Sequence, residues 1–369
     1  MERSTILVCG PPPTAVGGGP THMRNLWASP LAAEFDLVLF ETGSRGAESP
    51  AKDEPPLAMA WRLLTTPFAL ARVLAARRPA VVHLNTSVDP KGFWREWLNL
   101  IVCRMFGMRV AYQVHGGKLD VLAAGPLMRP IVRATLAWPD VVVLLASIER
   151  ADYERLGSVR RMVVIPNAVD TRAFRGETPR EHSGRVLKLA FLGRLIEAKG
   201  VFECLEAVRA LRAEPEFAGI ELRIAGSGPA REAIEERIRR DGLGECVRLV
   251  GALAGADTAA FLRESDVLLL PTYHPEGLPY TILESLAAGT PVVTTRNGGI
   301  PDVVVDGEHG LFVDPRDPGD IVAALRELAG SPERLRAMSR ACVDWAEREL
   351  GLARLARQFG ALYRELGAR

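Results

Sequence analysis

The sequence predicts an α/β protein with two Rossmann-like domains, each a doubly wound parallel β-sheet. Short aliphatic and β-branched runs alternate with apolar-periodic helical segments, as in parallel strands joined by right-handed crossovers. This alternation stops in a polar stretch before residue 186 and then starts again. The chain has 369 residues, enough for two ordinary cores. We therefore expect two such domains facing each other across a cleft.

The domain boundaries follow from that interruption. Residues 170–185 hold Gly, Pro and Ser without apolar periodicity, which is typical of a linker. We expect an N-terminal domain over 1–172, a linker over 173–185, a C-terminal domain over 186–345 and a C-terminal helix over 346–369. That helix is expected to pack back toward the N-terminal domain. A break is expected near Leu350 and Gly351.

The elements of the first domain are predicted from these runs in order. Its strands are expected at 4–10, 35–41, 80–85, 109–117, 140–147 and 162–170, and its main helices at 61–77, 92–106 and 121–137. A further helix is expected to start at Pro20, because proline is favoured in the first turn of a helix.

The second domain repeats the pattern. Strands are expected at 186–195, 220–226, 246–251, 266–270, 291–295 and 310–314, with helices at 199–212, 228–241, 256–265, 279–289, 318–329 and 331–366. Since ligands gather at the carboxyl ends of parallel strands, we expect the functional residues to lie there.

Composition and charge limit the classes of function that are compatible with this sequence. Hydrophobic residues make up 48% of the chain and charged residues 25%, as in soluble globular proteins. Residues 1–175 hold 21 Lys/Arg and 15 Asp/Glu, net +6, whereas 176–369 hold 25 and 30, net −5. A basic first half suits an anionic partner or surface. No basic cluster is interleaved with aromatics, so we expect no nucleic-acid partner.

Cysteine usage and apolar runs indicate the compartment. The five cysteines are scattered without C-x-x-C spacing, which argues against a disulfide framework and a zinc site. The first apolar run is too short for a signal peptide, and no run of 18 uncharged apolar residues occurs. We expect a cytoplasmic protein that can lie at the inner face of the cytoplasmic membrane.

The stretch His274–Gly289, HPEGLPYTILESLAAG, carries the strongest signal. Glu276 is expected on the loop before a helix that starts near Pro279, and Glu284 in the second turn of that helix. A helix N-terminus binds anions, so a diphosphate over Gly277 and Leu278 would have a carboxylate on each side for hydroxyl groups. The two carboxylates do not form a glycosidase pair. On spacing alone, two solvated glutamates remain an alternative.

Other candidates follow predicted strands. Three glycines, 17–19, follow the first strand without forming the dinucleotide fingerprint G-x-G-x-x-G. His115 stands at a strand end before two glycines. In GRLIEAKG, Arg194 and Lys199 can reach the sheet edge where the central stretch lies, and two cations there would offset a diphosphate. The alternative is a flexible turn for the three glycines, a packed histidine for His115, and a surface charge for Arg194 and Lys199.

Taken together, these motifs strongly resemble glycosyltransferase family 4, the group 1 glycosyltransferases, which are retaining enzymes of the GT-B fold. The resemblance covers nearly the whole chain and rests on GGGP at 17–20, HGG at 115–117, IPNAVD at 165–170, GRLIEAKG at 193–200, AGSGP at 225–229, EGLPYTILE at 276–284, AAGTPVV at 287–293 and GGIPDVVVDGEHGLFV at 298–313. Asn167-Ala168 replaces the usual Asn-Gly, and Glu276-Gly-Leu-Pro the commoner Glu-Gly-Phe-Gly.

The resemblance implies that 1–172 is the acceptor-side domain and 186–345 the nucleotide-sugar-binding domain, and it also implies residue roles. Arg194 and Lys199 would hold the donor diphosphate, Glu276 the hydroxyls of the transferred sugar and Glu284 the ribose. The backbone of Gly277, Leu278 and Pro279 would contact phosphate and sugar, Gly18 and Gly19 would face the diphosphate, and His115 would touch the sugar near the reacting carbon. Thus His115, Glu276, Arg194 and Lys199 are the candidate catalytic residues.

The expected reaction moves a hexose-type sugar from a nucleotide-sugar to a glycan or polyprenyl-linked acceptor, as in bacterial surface polysaccharide or glycoconjugate synthesis. No cofactor is expected, and because the chain lacks an Asp-x-Asp motif we expect no metal. Retention in this family is thought to proceed by front-face attack without an enzyme nucleophile.

Peripheral membrane contact through the N-terminal domain is suggested by residues 121–138, by Trp61 with Arg62, and by Trp94, Arg95 and Trp97. Packing of these apolar residues on the sheet is an equal alternative. Two other functions remain open: a nucleotide-sugar epimerase of GT-B-like fold and a non-catalytic nucleotide-sugar-binding protein. Product analysis with the donor alone would distinguish an epimerase from a transferase. Donor turnover would distinguish an enzyme from a binding protein.

Overall fold

The computed structural model describes residues 3–15, 17–42, 56–88, 90–117, 119–176 and 187–368. The chain divides into two compact units. The first comprises Met1–Ala168, Glu276–Leu278 and Leu352–Arg369, and the second comprises Val169–Pro275 and Pro279–Gly351. Most of the predicted linker, 173–185, lies outside the described residues, and its first residues belong to a short helix at Thr171–Phe174.

The first unit is built on a six-stranded parallel sheet. Its strands are β1 (Thr5–Gly10), β2 (Asp36–Glu41), β3 (Val81–Val88), β4 (Val110–Gly117), β5 (Val141–Leu144) and β6 (Met162–Val164), in the order β2-β1-β3-β4-β5-β6. The helices before the linker are α1 (Gly18–Ala28), α2 (Leu31–Glu34), α3 (Pro56–Arg77), α4 (Pro90–Met105), α5 (Leu119–Leu122), α6 (Met128–Ala137) and α7 (Arg150–Leu156). Runs such as VVVL are buried on both faces, as expected for parallel strands.

The second unit repeats this architecture. Its strands are β7 (Lys188–Leu192), β8 (Glu221–Ala225), β9 (Val247–Gly251), β10 (Val267–Leu270), β11 (Val292–Thr294) and β12 (Gly310–Phe312), in the order β12-β11-β10-β7-β8-β9. Its helices are α8 (Thr171–Phe174), α9 (Val201–Arg212), α10 (Arg231–Arg240), α11 (Ala256–Arg263), α12 (Tyr280–Ala287), α13 (Pro318–Gly330) and α14 (Pro332–Glu349). The predicted pair of parallel α/β sheets is therefore confirmed.

The chain ends in α15 (Leu352–Glu365), which follows α14 after a break at Leu350 and Gly351. Within the first unit, Phe359 and Tyr363 of α15 pack with Met23 and Leu26 of α1 and with Ile6 and Val8 of β1. The opposite face of the sheet is covered by α3, α4 and α6, through residues such as Leu70, Leu100 and Val132. Each sheet face of this unit thus has its own apolar core.

Helix starts follow from local chemistry. At α13, the Asp317 side chain accepts hydrogen bonds from the backbone N–H groups of Gly319 and Asp320, and Pro318 occupies the first helical position. The prediction for α1 was two residues late, because Gly18 and Gly19 are its first helical residues rather than loop. Pro20 is tolerated as the third residue because its missing N–H would have no intrahelical partner.

No helix among the described residues is long and apolar enough to cross a membrane.

Candidate functional site

In each sheet the strand order reverses direction at one point, and ligands of such sheets bind beside the carboxyl ends of the strands there. In the second unit this point lies between β7 and β10, since β8 follows β7 on the opposite side. In the first unit it lies between β1 and β3. The carboxyl ends of these strands are therefore the two edges at which a ligand is expected to bind.

Arg194 stands two residues beyond β7. Its side chain is exposed, and within the described ranges no carboxylate pairs with its guanidinium group. Other arginines of this unit pair with acidic side chains, for example Arg237 with Asp241. Arg194 therefore offers an uncompensated positive charge at the carboxyl edge of the sheet.

Two glycines fix the turn that carries Arg194. The backbone of Gly226 has a φ of 141°, and a Cβ built there would lie 1.8 Å from the carbonyl oxygen of Gly193. A Cβ at Gly228 would lie 2.3 Å from the carbonyl oxygen of Leu195. The Leu195 N–H also donates to the Ser227 carbonyl at 2.9 Å. Only glycine permits this backbone contact, which explains the AGSGP motif physically.

Lys199 is held near the loop that follows β10. The carbonyl oxygen of Ala198 accepts hydrogen bonds from the N–H groups of Tyr273 and His274, at 2.9 and 2.8 Å. Gly200 has a φ of 80°, and a Cβ there would lie 2.4 Å from the carbonyl oxygen of Pro271. The structure therefore brings the GRLIEAKG segment and the start of the central stretch together at one edge.

Helix α12 starts at Tyr280, with Pro279 as its N-cap residue, close to the predicted start. Glu284 is half-buried in its second turn. The preceding loop is tied to β11, since the Asn297 side-chain amide donates to the His274 carbonyl at 2.5 Å. No acidic residue occupies the first turn of α12, so its N–H groups are not countered by a carboxylate there.

Glu276, Gly277 and Leu278 belong to the first unit. Within it, the Asn167 side-chain amide donates to the Leu278 carbonyl at 2.9 Å. A Cβ at Gly277 would lie 3.3 Å from the Cα of Gly116. Gly277 and Gly116 therefore pack backbone to backbone, which places Glu276 beside the strand end that carries His115. Glu276 is half-buried.

His115 lies near the end of β4, where its Nε2 is 2.7 Å from the Asn85 Oδ1 of β3. His22 of α1 packs edge-on against His115, with ring centroids 4.7 Å apart. Burial lowers the pKa of His115 to about 4. Gly18 and Gly19 precede His22 by about one helical turn, so they lie at the same edge.

A second layer of polar groups lies beneath His115. His83 of β3 is fully buried and contacts the Tyr363 hydroxyl through Nδ1 at 2.7 Å and the Gln113 Oε1 through Nε2 at 2.9 Å. Burial, with a smaller effect of His115, lowers the pKa of His83 to about 3. Sequence reasoning missed His22, His83, Asn85 and Gln113. The signal available was a pair of polar residues, His83 and Asn85, inside the buried run VVHLNTSV.

The structure thus places the predicted residues in two sets. The second unit holds Arg194, Lys199, Pro279 and Glu284 at the carboxyl edge of β7 and β10, and the first unit holds Gly18, Gly19, His115, Glu276, Gly277 and Leu278. Across the described part of the chain, no group of three His, Cys, Asp or Glu residues is suited to hold a metal ion.

Known proteins resemble both units. A family model described as "Glycosyltransferase Family 4" matches residues 16–173, and one described as "Glycosyl transferases group 1" matches residues 187–331. Together they span well over half of the chain.

Individual relatives extend over most of the chain. Glycogen synthase of Mycobacterium tuberculosis is 26% identical over 374 residues, which cover 89% of this chain and 86% of that protein. A GDP-mannose-dependent alpha-(1-6)-phosphatidylinositol monomannoside mannosyltransferase of Mycolicibacterium smegmatis is 26% identical over 366 residues, covering 92% and 93%.

Solved structures show the same fold at low identity. Sucrose-phosphate synthase from Thermosynechococcus elongatus matches with a TM-score of 0.79 at 19% identity, over 99% of both chains. HepE from Anabaena, in complex with UDP and glucose, matches with a TM-score of 0.77 at 13% identity, over 98% of this chain and 100% of HepE. The fold is GT-B.

Proposed function

Because this chain belongs to the group 1 and family 4 glycosyltransferases, we propose that it moves a hexose from a nucleotide-sugar to a glycan or polyprenyl-linked acceptor, with retention of configuration. Relatives that transfer mannose from GDP-mannose, and the likeness to HepE with bound UDP and glucose, support a nucleotide-sugar donor.

The observation that carries this proposal is the exposed guanidinium of Arg194, which is unpaired within the described ranges and follows β7, the neighbour of β10 in the sheet. Breaking a sugar–phosphate bond leaves negative charge on the diphosphate. A cation and helix N–H groups already in place stabilise that charge more in the transition state than in the ground state. In the proposal, Arg194 and Lys199 therefore hold the diphosphate over the start of α12.

The remaining candidate residues recognise the ends of the donor. We assign the ribose hydroxyls to Glu284 and the hydroxyls of the transferred sugar to Glu276, because a carboxylate accepts hydrogen bonds from paired hydroxyls. The backbone of Gly277, Leu278 and Pro279 lies along the sugar and phosphate, and Gly18 and Gly19 approach the diphosphate. His115 contacts the sugar near the reacting carbon.

No enzyme nucleophile enters this scheme, in which the leaving phosphate helps to take the acceptor proton. No metal ion is invoked, since the sequence has no Asp-x-Asp motif. Transfer in the presence of EDTA is the corresponding expectation.

The experiment compares wild type with Arg194→Ala and Arg194→Lys. Binding of nucleoside diphosphates and of nucleotide-sugars is measured by thermal shift with EDTA present, and sugar transfer by product analysis. Arg194→Ala should lower kcat/KM by about a hundredfold to a thousandfold, as loss of one transition-state donor does. Arg194→Lys should retain part of the activity, since it keeps charge but loses the bidentate geometry.

The matched control is Arg248→Ala, because Arg248 is also exposed and, within the described ranges, unpaired, but lies in β9 at the far edge of the sheet. It should leave binding and transfer unchanged. A wild type that binds no nucleotide would contradict the proposal. Release of an epimerised nucleotide-sugar from donor alone would instead indicate an epimerase, and binding without any turnover a binding protein.

We also propose that the acceptor lies at a cytoplasmic membrane surface that the first unit contacts. Leu57, Trp61, Leu64 and Phe68 of α3 are 85%, 71%, 64% and 71% exposed. Their spacing of four, three and four residues puts them on one face of the helix. Large apolar side chains lined up in this way on a surface mark an interaction site.

Charge favours an anionic lipid surface as the occupant of that face. Residues 56–78 contain four arginines, Arg62, Arg72, Arg77 and Arg78, and no Asp or Glu. The residues between β2 and α3, 43–55, contain no large apolar side chain that could cover the face. Basic amphipathic helices with aromatic residues bind anionic lipid interfaces.

The other predicted membrane residues differ in their exposure. Leu127 is 80% exposed, whereas Val132 and Leu136 of α6 are buried against the sheet and Trp94 is 36% exposed. Arg95 pairs with Glu96. In the proposal, α3 therefore provides the main contact and the segment before α6 adds to it.

A further inference from the structure

A side-chain amide connects β1, β3 and β4 beneath the ring of His115. Asn85 of β3 is 4% exposed. Its Nδ2 donates to the Cys9 carbonyl of β1 at 3.1 Å, and its Oδ1 lies 2.7 Å from the Nε2 of His115. Both ends of this amide are therefore engaged, one by a backbone group and one by an imidazole.

The backbone contact determines which way the amide points. A carbonyl oxygen can only accept a hydrogen bond, so the amide nitrogen must face Cys9 and the amide oxygen must face His115. An amide oxygen also only accepts. The Nε2 of His115 must then carry the proton, and in a neutral imidazole this leaves Nδ1 unprotonated with a free lone pair.

The surroundings keep the ring neutral. The ring packed on it is that of His22 of α1, with ring centroids 4.7 Å apart, and His22 in turn contacts His83 of β3 at 6.4 Å. Burial lowers the pKa of His22 well below its ordinary value, and neighbouring His115 and His83 lower it further. Burial alone lowers the pKa of His115 to about 4. None of the three rings is charged at neutral pH.

The Nδ1 atom of His115 has no hydrogen-bond partner among the described residues, and the ring is only half-buried. The next two residues, Gly116 and Gly117, have φ angles of 92° and 111°. Because they are glycines, they have no side chain that could cover the His115 ring. An unprotonated nitrogen that is accessible and fixed in direction is suited to receive a hydrogen bond from a ligand hydroxyl.

We infer that Asn85 is a positioning residue that holds His115 in its Nε2-protonated form, so that Nδ1 accepts a hydrogen bond from a hydroxyl of the transferred sugar. The inference rests on the proposed transferase function. It has a chemical reason, because positive charge develops on the anomeric carbon as the bond to phosphate breaks. A neutral acceptor nearby is compatible with that charge, whereas an imidazolium would repel it.

The first test reads the tautomer directly and needs no activity. Nitrogen-15 NMR of histidine-labelled protein distinguishes a protonated from an unprotonated ring nitrogen, and His115→Gln identifies the signals of His115. We expect a protonated Nε2 and an unprotonated Nδ1 at pH 7 in the wild type, and a mixture of tautomers in Asn85→Leu. A wild-type ring that is protonated at Nδ1, or at both nitrogens, would overturn the inference whether or not the protein transfers sugar.

The second test is kinetic. Asn85→Leu should lower kcat/KM by about tenfold to a hundredfold, the usual effect of losing a buried hydrogen-bond partner. Asn85→Asp keeps an acceptor at Nε2 but adds a negative charge, which should raise the pKa of His115. The acid limb of the profile of kcat/KM against pH should therefore move to higher pH in Asn85→Asp.

Asn25→Leu is the matched control, because Asn25 of α1 also donates to a backbone carbonyl, that of Ala168 at 2.6 Å, and makes no hydrogen bond to His115. It should leave kcat/KM and its pH profile unchanged. An equal loss in Asn25→Leu, or an unmoved acid limb in Asn85→Asp, would show that Asn85 is merely structural. If the wild type transfers nothing, the transferase proposal fails, and the NMR result still decides the tautomer.

Discussion

The two units place different chemistry at the carboxyl ends of their strands. The second unit exposes Arg194 on a turn held by direct glycine-backbone contacts. The first unit places His115 there, packed against His22 and with His83 in the layer beneath, and burial keeps all three rings neutral. Under the proposed function the two halves of the reaction need this difference, because the diphosphate becomes more negative while the anomeric carbon becomes more positive.

The units also differ in how their sites are held. In the second unit, stability at the edge comes from backbone packing over Gly193, Gly226 and Gly228, so that steric change should be most damaging there. In the first unit the site contains buried imidazoles whose charged form is disfavoured by desolvation, so that acid should be most damaging there. Each expectation can be tested separately.

The largest effect is expected from Gly226→Ala. The new Cβ would lie 1.8 Å from the Gly193 carbonyl oxygen, and φ at 226 is 141°, so the backbone must move. We expect the free energy of unfolding of the second unit to fall by about 3 kcal/mol or more, as for other substitutions that combine a steric clash with a strained backbone. Urea unfolding followed by circular dichroism measures it.

Gly244→Ala is the control for that substitution, since a Cβ there meets nothing within 4 Å and the backbone is not left-handed. It should change stability little. If Gly226→Ala is tolerated as well as Gly244→Ala, the contact between the two glycine-containing turns does not hold the Arg194 turn in place.

The next effect is acid destabilisation of the first unit through His83. The folded pKa of His83 is about 3 against an ordinary value of 6.5, so the unfolded chain takes up its proton first as pH falls. Above pH 6.5, His83 therefore does not lower the free energy of unfolding. Between pH 6.5 and about 3, that free energy falls as the pH falls. From pH 6.5 to 4.5 this loss is about 2 to 3 kcal/mol for one residue.

His22 and His115 shift in the same direction, so the wild type should lose more than His83 alone contributes. Urea unfolding at several pH values between 7 and 4.5 should show a shallower dependence for His83→Phe than for the wild type. Carboxylates with lowered pKa values, such as Asp241, act at lower pH. Equal slopes in the two proteins would mean that His83 is not held neutral by the fold.

These two sites were not equally predictable from sequence. The second-unit residues lie in short segments, such as Gly193–Gly200, in which strand, turn and helix start are adjacent, so local spacing located Arg194 and Lys199 at one edge. The polar cluster of the first unit draws on α1, β3, β4 and α15, and nothing in the local spacing of His22, Gln113 or Tyr363 links them. Such a cluster depends on strand pairing and on the packing of the last helix.

The fold class was predictable because its signal also lies in short local segments: buried parallel strands are continuous apolar runs such as DVLLL and VVVL. The first residues of the helices were less predictable from the sequence. For α1 the preference for proline at the first position placed the start at Pro20, whereas Gly18 and Gly19 are already helical. For α3 the apolar periodicity became clear only from residue 61, although the helix begins at Pro56.

The smallest effect is expected at the apolar face of α3, a surface feature of the first unit. Phe68→Ser and Trp61→Ser should each weaken binding to vesicles of phosphatidylcholine with phosphatidylglycerol by about tenfold, because each removes an aromatic side chain that would enter the interface. Vesicles of phosphatidylcholine alone should bind the wild type more weakly, since the arginines of α3 then lose their anionic partners. Co-sedimentation measures both.

Val305→Ser is the control, because Val305 of the second unit is 45% exposed but has no neighbouring apolar stripe on a helix. It should leave vesicle binding unchanged. If Phe68→Ser binds vesicles as the wild type does, but shifts the protein from dimer to monomer in sedimentation velocity, the α3 face joins two copies of the chain instead. Under that result the basic, acid-free composition of residues 56–78 would need another explanation, because like charges across a dimer interface oppose association.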